Sequence, residues 1–223
     1  MLVKDTGTRI ENWEVLVGRP TLTRGLPSNN LSLNFWLSFF WNFCIFAGMK
    51  LERHHVQFFT AVCNDWLRLL EADEAKDIVV KALQYQVKAG HVKVAAFVIM
   101  PNHLHIIWRI QNEWKLEDVQ RDFLKFTAKE LLSLVKSKKG NQGLEELFVG
   151  LKDRTFQVWK RNSMSIDLIH EWFFKQKFEY LHNNPCQPHW QLASQPEDYR
   201  YSSASFYESG VDEFGFLTHH SEV

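Results

Sequence analysis

The sequence predicts an α+β fold, because it contains both a pair of strands joined by a turn and several amphipathic helices. Two apolar runs, at 94–100 and 103–108, are separated by a proline–asparagine pair that favours a turn. Apolar residues recur at helical spacing over 73–89 and again over 116–136. With 223 residues, of which 45% are hydrophobic, the chain can bury the core of one domain.

The helix predicted over 116–136 has one apolar stripe. Its inward-facing residues recur at helical spacing and are Leu116, Val119, Phe123 and Leu131. Lysines lie on its polar side, as in a helix with one face in water. This helix is therefore expected to pack against the core through a single face.

The second half of the chain is predicted to hold a loop, a strand and a last helix. Residues 136–150 are rich in glycine and polar side chains, so they are expected to form a flexible loop. Residues 156–159 alternate in the manner of a strand. The last helix is expected to run from Ser165, as N-cap, to Asn183, with Asp167 in its first turn, where a carboxylate suits the helix dipole.

Two histidines flank a leucine at the start of the second apolar run. Side chains alternate between the faces of a strand, so His103 and His105 lie on one face and Leu104 points into the core. Two imidazoles fixed side by side on a strand form half of a divalent metal site. The alternative is a chance pair of histidines on the wet face of a strand.

A tyrosine and an asparagine stand at the end of the last predicted helix. Ile169, Phe173, Tyr180 and Asn184 fall on one helical stripe, and the helix stops at the Asn-Asn-Pro sequence that includes Asn184. A phenol beside a carboxamide, facing a metal held by two histidines, would be a nucleophile beside a third ligand. The alternative is an ordinary core tyrosine followed by a capping asparagine.

The other tyrosines are weaker candidates for a nucleophile. Of the five tyrosines in the chain, Tyr85 lies in the helix predicted over 73–89. Tyr199, Tyr201 and Tyr207 lie in a polar segment near the end of the chain, where packing or surface roles are expected. Only Tyr180 has an amide one helical turn away and a helix stop directly after it.

Several co-ordered segments of the chain resemble one family. They are 97–108 (FVIMPNHLHIIW), 119–125 (VQRDFLK), 156–162 (FQVWKRN), 180–185 (YLHNNP) and 196–204 (PEDYRYSSA). The chain resembles the HUH single-tyrosine transposases, whose metal motif is histidine, bulky hydrophobe, histidine. The resemblance is to the group of REP-associated tyrosine transposases most of all, and it spans roughly residues 50 to 220. A first strand fits near 49–60.

The resemblance implies a fold, a site and a reaction. The fold would be a small ferredoxin-like α+β domain, with an antiparallel sheet carrying the histidines and a flanking helix carrying the tyrosine. His103 and His105 would bind the metal, Asn184 would complete its site, and Tyr180 would be the nucleophile. The reaction would be cleavage and strand transfer of single-stranded DNA, next to a hairpin, through a 5′-phosphotyrosine link. Family members are either monomers or homodimers.

The metal implied by these ligands is Mg²⁺ or Mn²⁺. Imidazole suits many transition metals, whereas an amide oxygen and a DNA phosphate favour these two ions. A histidine-triad hydrolase would need a third histidine at position 107, which is Ile107. A structural zinc site would need cysteines at short spacing, but Cys44, Cys63 and Cys186 are isolated. Isolated cysteines suggest a reducing compartment, so we expect a cytoplasmic protein without a membrane span.

The charge distribution gives limited support to a nucleic-acid partner. The chain has 26 basic and 26 acidic residues, so its net charge is zero. Residues 115–177 nevertheless hold 13 basic against 9 acidic side chains. The candidate phosphate contacts in this part are Lys125, Lys129, Arg154, Lys160 and Arg161. Ordinary surface charge is the alternative for each, and a non-catalytic module that binds single strands by aromatic stacking is the alternative for the whole chain.

The first 48 residues match none of the segments that carry the resemblance. Residues 31–48 are strongly aromatic, but polar residues interrupt them and their length is marginal for a bilayer. We expect residues 1–48 to be an extension upstream of a true start at Met49. We also expect a chain that begins at Met49 to fold and cleave as well as the full one. A membrane-binding or partner-binding arm is the alternative.

Overall fold

The computed structural model describes residues 55–111 and 113–223. The extension expected at 1–48 therefore lies outside the described residues. In chain order the elements are β1 (Val56–Val62), α1 (Asp73–Lys88), β2 (Val92–Ile99), β3 (His103–Ile110), α2 (Leu116–Glu145), β4 (Phe148–Leu151), β5 (Arg154–Phe156), β6 (Met164–Asp167), α3 (Glu171–Asn183) and α4 (Ala204–Ser209). Within the described residues, no helix combines the length and hydrophobicity needed to cross a membrane.

The central feature is a four-stranded sheet with the order β2-β3-β1-β6. All three pairs of neighbouring strands run antiparallel. In the chain, α1 lies between β1 and β2, and α2 lies between β3 and β6. This is the β-α-β-β-α-β order of a ferredoxin-like fold. The predicted α+β class and ferredoxin-like sheet are confirmed. A separate hairpin of β4 and β5 is inserted between α2 and β6.

One face of the sheet holds the apolar core. Leu104 is fully buried on this face, as the alternation of β3 predicts. Further along the same face, the rings of Phe59 and Trp108 stack with centroids 5.0 Å apart. Phe123 of α2 packs edge-on against Phe59 and Trp108, at 6.4 and 5.8 Å respectively. The helix α1 packs against α2 and β2, so the two long helices share the covering of this core.

The opposite face of the sheet carries His103 and His105 and is covered by α3. The register of β3 on β1 pairs His105 with Thr60 and His103 with Val62. Residues paired across an antiparallel sheet share a face, so these four side chains lie together on the face that α3 covers. The tyrosine ring of Tyr180 confirms the placement, because its centroid lies 5.4 Å from that of His105.

The segment after α3 closes the outer edge of β2. Its backbone pairs with the strand: Ile99 N donates to Tyr201 O at 2.9 Å, and Ser203 N donates to Phe97 O at 3.0 Å. The Tyr199 hydroxyl also donates to the Ile99 carbonyl, at 2.7 Å. The packing role expected for the tyrosines of this segment is therefore confirmed for Tyr199 and Tyr201, both of which are buried.

The prediction that the last helix starts at Ser165 is wrong. Residues 164–167 form β6, and α3 begins at Glu171. Ser165 donates its hydroxyl to the Gln57 side chain at 3.2 Å, and the Gln57 amide donates to Asp167 at 3.0 Å. The edge of β1 offers backbone partners that local sequence does not reveal, and pairing there outweighs the helix-capping preference of serine. Ile169 therefore lies outside the helical stripe on which it was placed.

The prediction of a flexible loop at 136–150 is also wrong in most of its length. Helical structure extends to Glu145, but it is broken by a kink at Gly140, whose φ of 62° and ψ of −153° are not helical. Glycine adopts this backbone conformation, which other residues rarely do, and a second helical segment follows it. Lys138 of this extension forms an ion pair with Glu74 of α1 at 2.8 Å. The strand predicted at 156–159 is shifted, because β5 ends at Phe156.

Candidate active site

The two histidines of β3 lie together on the face that α3 covers. Their ring centroids are 4.9 Å apart, and both side chains are buried. His105 also stacks on Phe58, with centroids 5.0 Å apart. The strand and the stacking contact fix the two rings, so the site is formed before any ligand binds.

Hydrogen bonds hold one nitrogen of each ring. His103 Nδ1 lies 2.7 Å from Asn102 Oδ1, and His105 Nδ1 lies 2.8 Å from the Thr60 hydroxyl. The amide oxygen of Asn102 accepts from His103 Nδ1–H, which leaves a lone pair on His103 Nε2. Such contacts orient the ring and direct its free nitrogen toward a ligand. His103 Nε2 is therefore a candidate metal donor, and His105 Nε2 is one in the tautomer whose Nδ1–H donates to the Thr60 hydroxyl.

The second nitrogen of His105 is the most informative atom of the site. His105 Nε2 is buried and has no hydrogen-bond partner among the described residues. Nearby, the Asn184 amide donates to His103 Nε2 at 3.3 Å. Leaving a buried polar atom unpaired costs about 1–3 kcal/mol. A nitrogen held in this state by a fixed ring fits a metal ligand better than a packing residue.

The protonation states also fit metal binding. Burial, with a smaller contribution from His189, lowers the pKa of His103 to about 4. Burial lowers the pKa of His105 well below its usual value, and the charges of His103 and Lys177 act in the same direction. Both imidazoles are therefore neutral at pH 7, which is the form that binds a metal ion.

Tyr180 lies beside the two histidines. It sits one turn before the end of α3, with its side chain 47% exposed, so that its ring packs on the site while the residue remains in contact with water. Burial raises the pKa of Tyr180, and a hydrogen bond with the Asn184 side chain partly offsets this increase. The predicted proximity of Tyr180 and Asn184 is therefore present in the structure.

A buried hydrogen-bond chain fixes the helix that carries Tyr180. His182 Nε2 lies 2.8 Å from the Ser203 hydroxyl, and the Phe97 backbone N–H donates to the same hydroxyl at 3.0 Å. This chain joins α3 to β2 through the segment after α3. Asn184 follows directly in a 3-10 turn over Asn184–Cys186 and is itself buried. The positions of Tyr180 and Asn184 are thus set from both sides.

Lys177 is a site residue that the sequence interpretation missed. Its ammonium lies 5.4 Å from the ring centroid of Phe58 and 5.8 Å from that of Tyr180. Burial lowers the pKa of Lys177, and none of the described carboxylates forms an ion pair with it. The spacing carried a signal: Lys177 stands three residues before Tyr180 and seven before Asn184, on the same side of a helix.

The similarity of this chain to known proteins is detected in structure and not in sequence. No protein-family model matches the chain, and no curated protein matches it in sequence. A solved REP-associated tyrosine transposase bound to a REP hairpin matches with a TM-score of 0.52 and 17% identity, over 74% of this chain and 86% of that one. A candidate transposase from Deinococcus radiodurans R1 matches with a TM-score of 0.40 and 13% identity, over 60% and 94%.

This chain has the fold of the REP-associated tyrosine transposase. The fold predicted from the resemblance is therefore confirmed for most of the described residues. An identity of 17% says nothing about the role of any single residue, so those roles rest on the geometry above. The likeness to the Deinococcus protein is too distant to add an argument.

The transposase-like fold separates the five basic residues predicted to contact DNA. Lys125 and Lys129 are exposed on α2, which packs on the face opposite the histidines. Arg154 and Arg161 both pair with Asp153, at 2.7 and 3.1 Å. Lys160 lies nearest the site, because its backbone N–H donates at 2.7 Å to the carbonyl of Val62, the strand partner of His103. The DNA contacts of all five stay predictions.

The donor set contains no carboxylate. Among the described residues, no group of three histidine, cysteine, aspartate or glutamate side chains could hold a metal ion. Two imidazoles and one amide are uncharged, so any metal ion held by them would take its anionic ligands from elsewhere.

Proposed function

We propose that this chain is an HUH-type tyrosine transposase, which cleaves single-stranded DNA and transfers the strand through a 5′-phosphotyrosine intermediate. One observation carries the proposal. The unpaired Nε2 of buried His105 belongs to a ring that lies beside His103, which contacts Asn184, and the Tyr180 ring lies 5.4 Å from the His105 ring between centroids. A metal-binding pair and a nucleophile are thus brought together from two distant parts of the chain.

The metal would be held by His103 Nε2, His105 Nε2 and the amide of Asn184. The amide nitrogen now faces His103, but a flip of the amide group presents its oxygen instead, and the two orientations differ little in shape. When bound, Mg²⁺ or Mn²⁺ polarises the phosphate and stabilises negative charge on its oxygens. All other parts of the reaction are assigned to side chains of the protein.

Tyr180 would attack the phosphorus of the scissile phosphate. A bond forms between the phenol oxygen and phosphorus, and the bond from phosphorus to the 3′ oxygen breaks. The phenol loses its proton, and the departing 3′ oxygen takes one up and becomes a hydroxyl. A 3′ hydroxyl from another DNA end reverses these steps and releases Tyr180. The phosphotyrosine conserves the energy of the bond, so strand transfer needs no ATP.

Lys177 would bind the attacked phosphate from the side of Tyr180. Its ammonium is held by three aromatic rings and carries a charge that no described carboxylate neutralises. Lys177→Gln is expected to slow formation of the covalent DNA adduct on the order of a hundredfold, because one donor to the developing charge is lost. Single-turnover assays on denaturing gels measure this rate. Lys175→Gln is the control, since Lys175 is exposed on the same helix and pairs with Glu179.

An equal loss of rate in the Lys175→Gln and Lys177→Gln proteins would mean that total charge matters and position does not. The phosphate role of Lys177 would then be wrong. Melting temperatures of both variants show whether either loses folded protein.

The substrate is expected to be single-stranded DNA next to a short hairpin, with plain duplex cleaved poorly. The similar transposase was solved with a REP hairpin, and the site of this chain lies between a strand and a helix, which a single strand would enter more easily than a stiff duplex. Purified protein, Mn²⁺ and an oligonucleotide library resolved on denaturing gels test the proposal through the covalent adduct. Equal cleavage of duplex and single strand contradicts the substrate preference. The salt dependence should be shallow, because the net charge is zero.

A further inference from the structure

An unusual turn presents a tryptophan on the surface beside the site. Trp66 is 58% exposed, although tryptophan side chains are largely buried in most proteins. Asp65 and Trp66 have φ angles of 51° and 58°, a left-handed conformation that aspartate tolerates but that is costly for a bulky residue such as tryptophan. Two such residues in succession persist only where the surroundings impose them. The backbone conformation of the turn therefore lowers the stability of the fold while it keeps an indole ring exposed to water.

The surroundings that impose this turn are the ends of β1 and β3 and the segment after β5. Cys63 N donates to Asn102 O at 2.8 Å, and Asn64 N donates to Val158 O at 2.7 Å. The Gln157 side chain donates to the Asn64 side chain at 2.9 Å. Backbone and side chain are thus fixed immediately before Trp66, which limits the positions that its ring can take.

One side chain joins the turn to the candidate metal site. The Asn102 amide donates to the Trp66 carbonyl at 3.4 Å, and the oxygen of the same amide accepts from His103 at 2.7 Å. Asn102 is therefore a direct link between the exposed tryptophan and the first candidate ligand. A DNA strand with its phosphate at the histidines would pass close to Trp66.

A positive charge accompanies the indole. Lys160 Nζ lies 6.0 Å from the Trp66 ring centroid, and no carboxylate within the described ranges forms an ion pair with it. The neighbouring Arg161 is paired with Asp153, which leaves Lys160 as the available cation. The ammonium lies over one face of the exposed ring, so a base can stack on the other face while a phosphate of the same strand contacts the cation.

We propose that Trp66 is the stacking site for one unpaired base of the single-stranded DNA, and that Lys160 contacts a phosphate of the same strand. The inference rests on the proposed function for its ligand, because the strand is the one that Tyr180 cleaves. It adds a reason for strand preference: a paired base keeps its faces stacked within the duplex, so only an unpaired base can cover Trp66. A shallow salt dependence follows as well, since stacking does not release counterions.

Binding is tested without cleavage, using the full chain and a fluorescent single-stranded oligonucleotide in excess EDTA. Trp66→Ala is expected to weaken binding by about five- to a hundredfold, the range for loss of one stacked base. Trp66→Phe should retain most of the affinity, because a smaller ring still stacks. Trp172→Ala is the matched control, since Trp172 is 67% exposed in the first turn of α3 and is not among the candidate site residues.

A glycine variant separates binding from stability. Trp66→Gly removes the ring but suits the positive φ, so its melting temperature should stay equal or rise while DNA binding falls as in Trp66→Ala. An abasic scan of the oligonucleotide then locates the stacked base. One abasic position should weaken binding to the wild type and have no effect on the Trp66→Ala protein, because the two changes remove the same contact.

Unchanged binding by Trp66→Ala, or an equal loss with Trp172→Ala, overturns the stacking site. A change in oligomeric state with unchanged DNA binding does so too, because it would make Trp66 a protein contact. Binding that depends on Trp66, from a protein that forms no adduct with Mn²⁺, supports the stacking site and contradicts the cleavage proposal. A wild-type chain that does not bind single strands contradicts both.

Discussion

Tyr180→Phe is expected to abolish the covalent protein–DNA adduct while leaving DNA binding nearly unchanged. The substitution removes only the hydroxyl that would attack phosphorus, and the ring keeps its contacts with His105 and Phe58. The adduct is measured on denaturing gels after incubation with Mn²⁺ and a single-stranded oligonucleotide. Binding is measured separately by fluorescence anisotropy. This is the largest effect expected of any single atom in the protein.

Tyr85→Phe is the matched control for this experiment, since Tyr85 is exposed on α1, which packs on the other face of the sheet. It should form adduct at the wild-type rate. Adduct formation by the Tyr180→Phe protein at the normal rate would mean that another residue is the nucleophile. Wild-type protein that binds DNA but never forms an adduct would favour the non-catalytic binding module.

His105→Ala is expected to abolish metal-dependent cleavage, and His103→Ala should have the same effect. Each change removes one of two imidazoles that would fix the ion, whereas Asn184→Ala should weaken cleavage less, because water can replace an amide oxygen. Mn²⁺ binding by calorimetry provides a readout independent of activity. The metal should bind the wild-type protein and show no measurable binding to either histidine variant.

His170→Ala controls for the loss of a histidine, because His170 is exposed at the start of α3 and lies outside the site. It should bind Mn²⁺ and cleave normally. Wild-type cleavage in excess EDTA at the rate seen with Mn²⁺ would contradict the metal site. Melting temperatures belong with these measurements, because His105→Ala also leaves the Thr60 hydroxyl without its partner.

The arrangement of the site could be predicted from sequence where the signal was local. The alternation of β3 places His103 and His105 on one face, and the helix stop after Asn183 sets Asn184 one turn from Tyr180. Both features follow from the period of a single element. Their meeting across the fold was implied only by the resemblance, since no local pattern states which face of the sheet a later helix covers.

The failures came where distant partners decide the structure. Met164–Asp167 became a strand because β1 has an open edge, although Ser165 suits a helix cap. The position of Lys177 in the site could not be predicted, because lysines on a helix are usually solvated. Only the packing of α3 places this lysine among aromatic rings. The left-handed turn at Trp66 could not be predicted, because its sequence contains no glycine. The hydrogen bonds that impose the turn come from residues 102 and 157–160, which are distant in sequence.

The division of labour between the two faces of the sheet has an evolutionary consequence. The face under α1 and α2 requires only apolar side chains of suitable total volume, and many different sequences provide them. The face under α3 carries the candidate site, whose proposed role depends on the exact positions of only a few side chains. Most positions can therefore change while the architecture is kept. A chain of this design can share its fold with a protein at 17% identity and match no family model and no curated sequence.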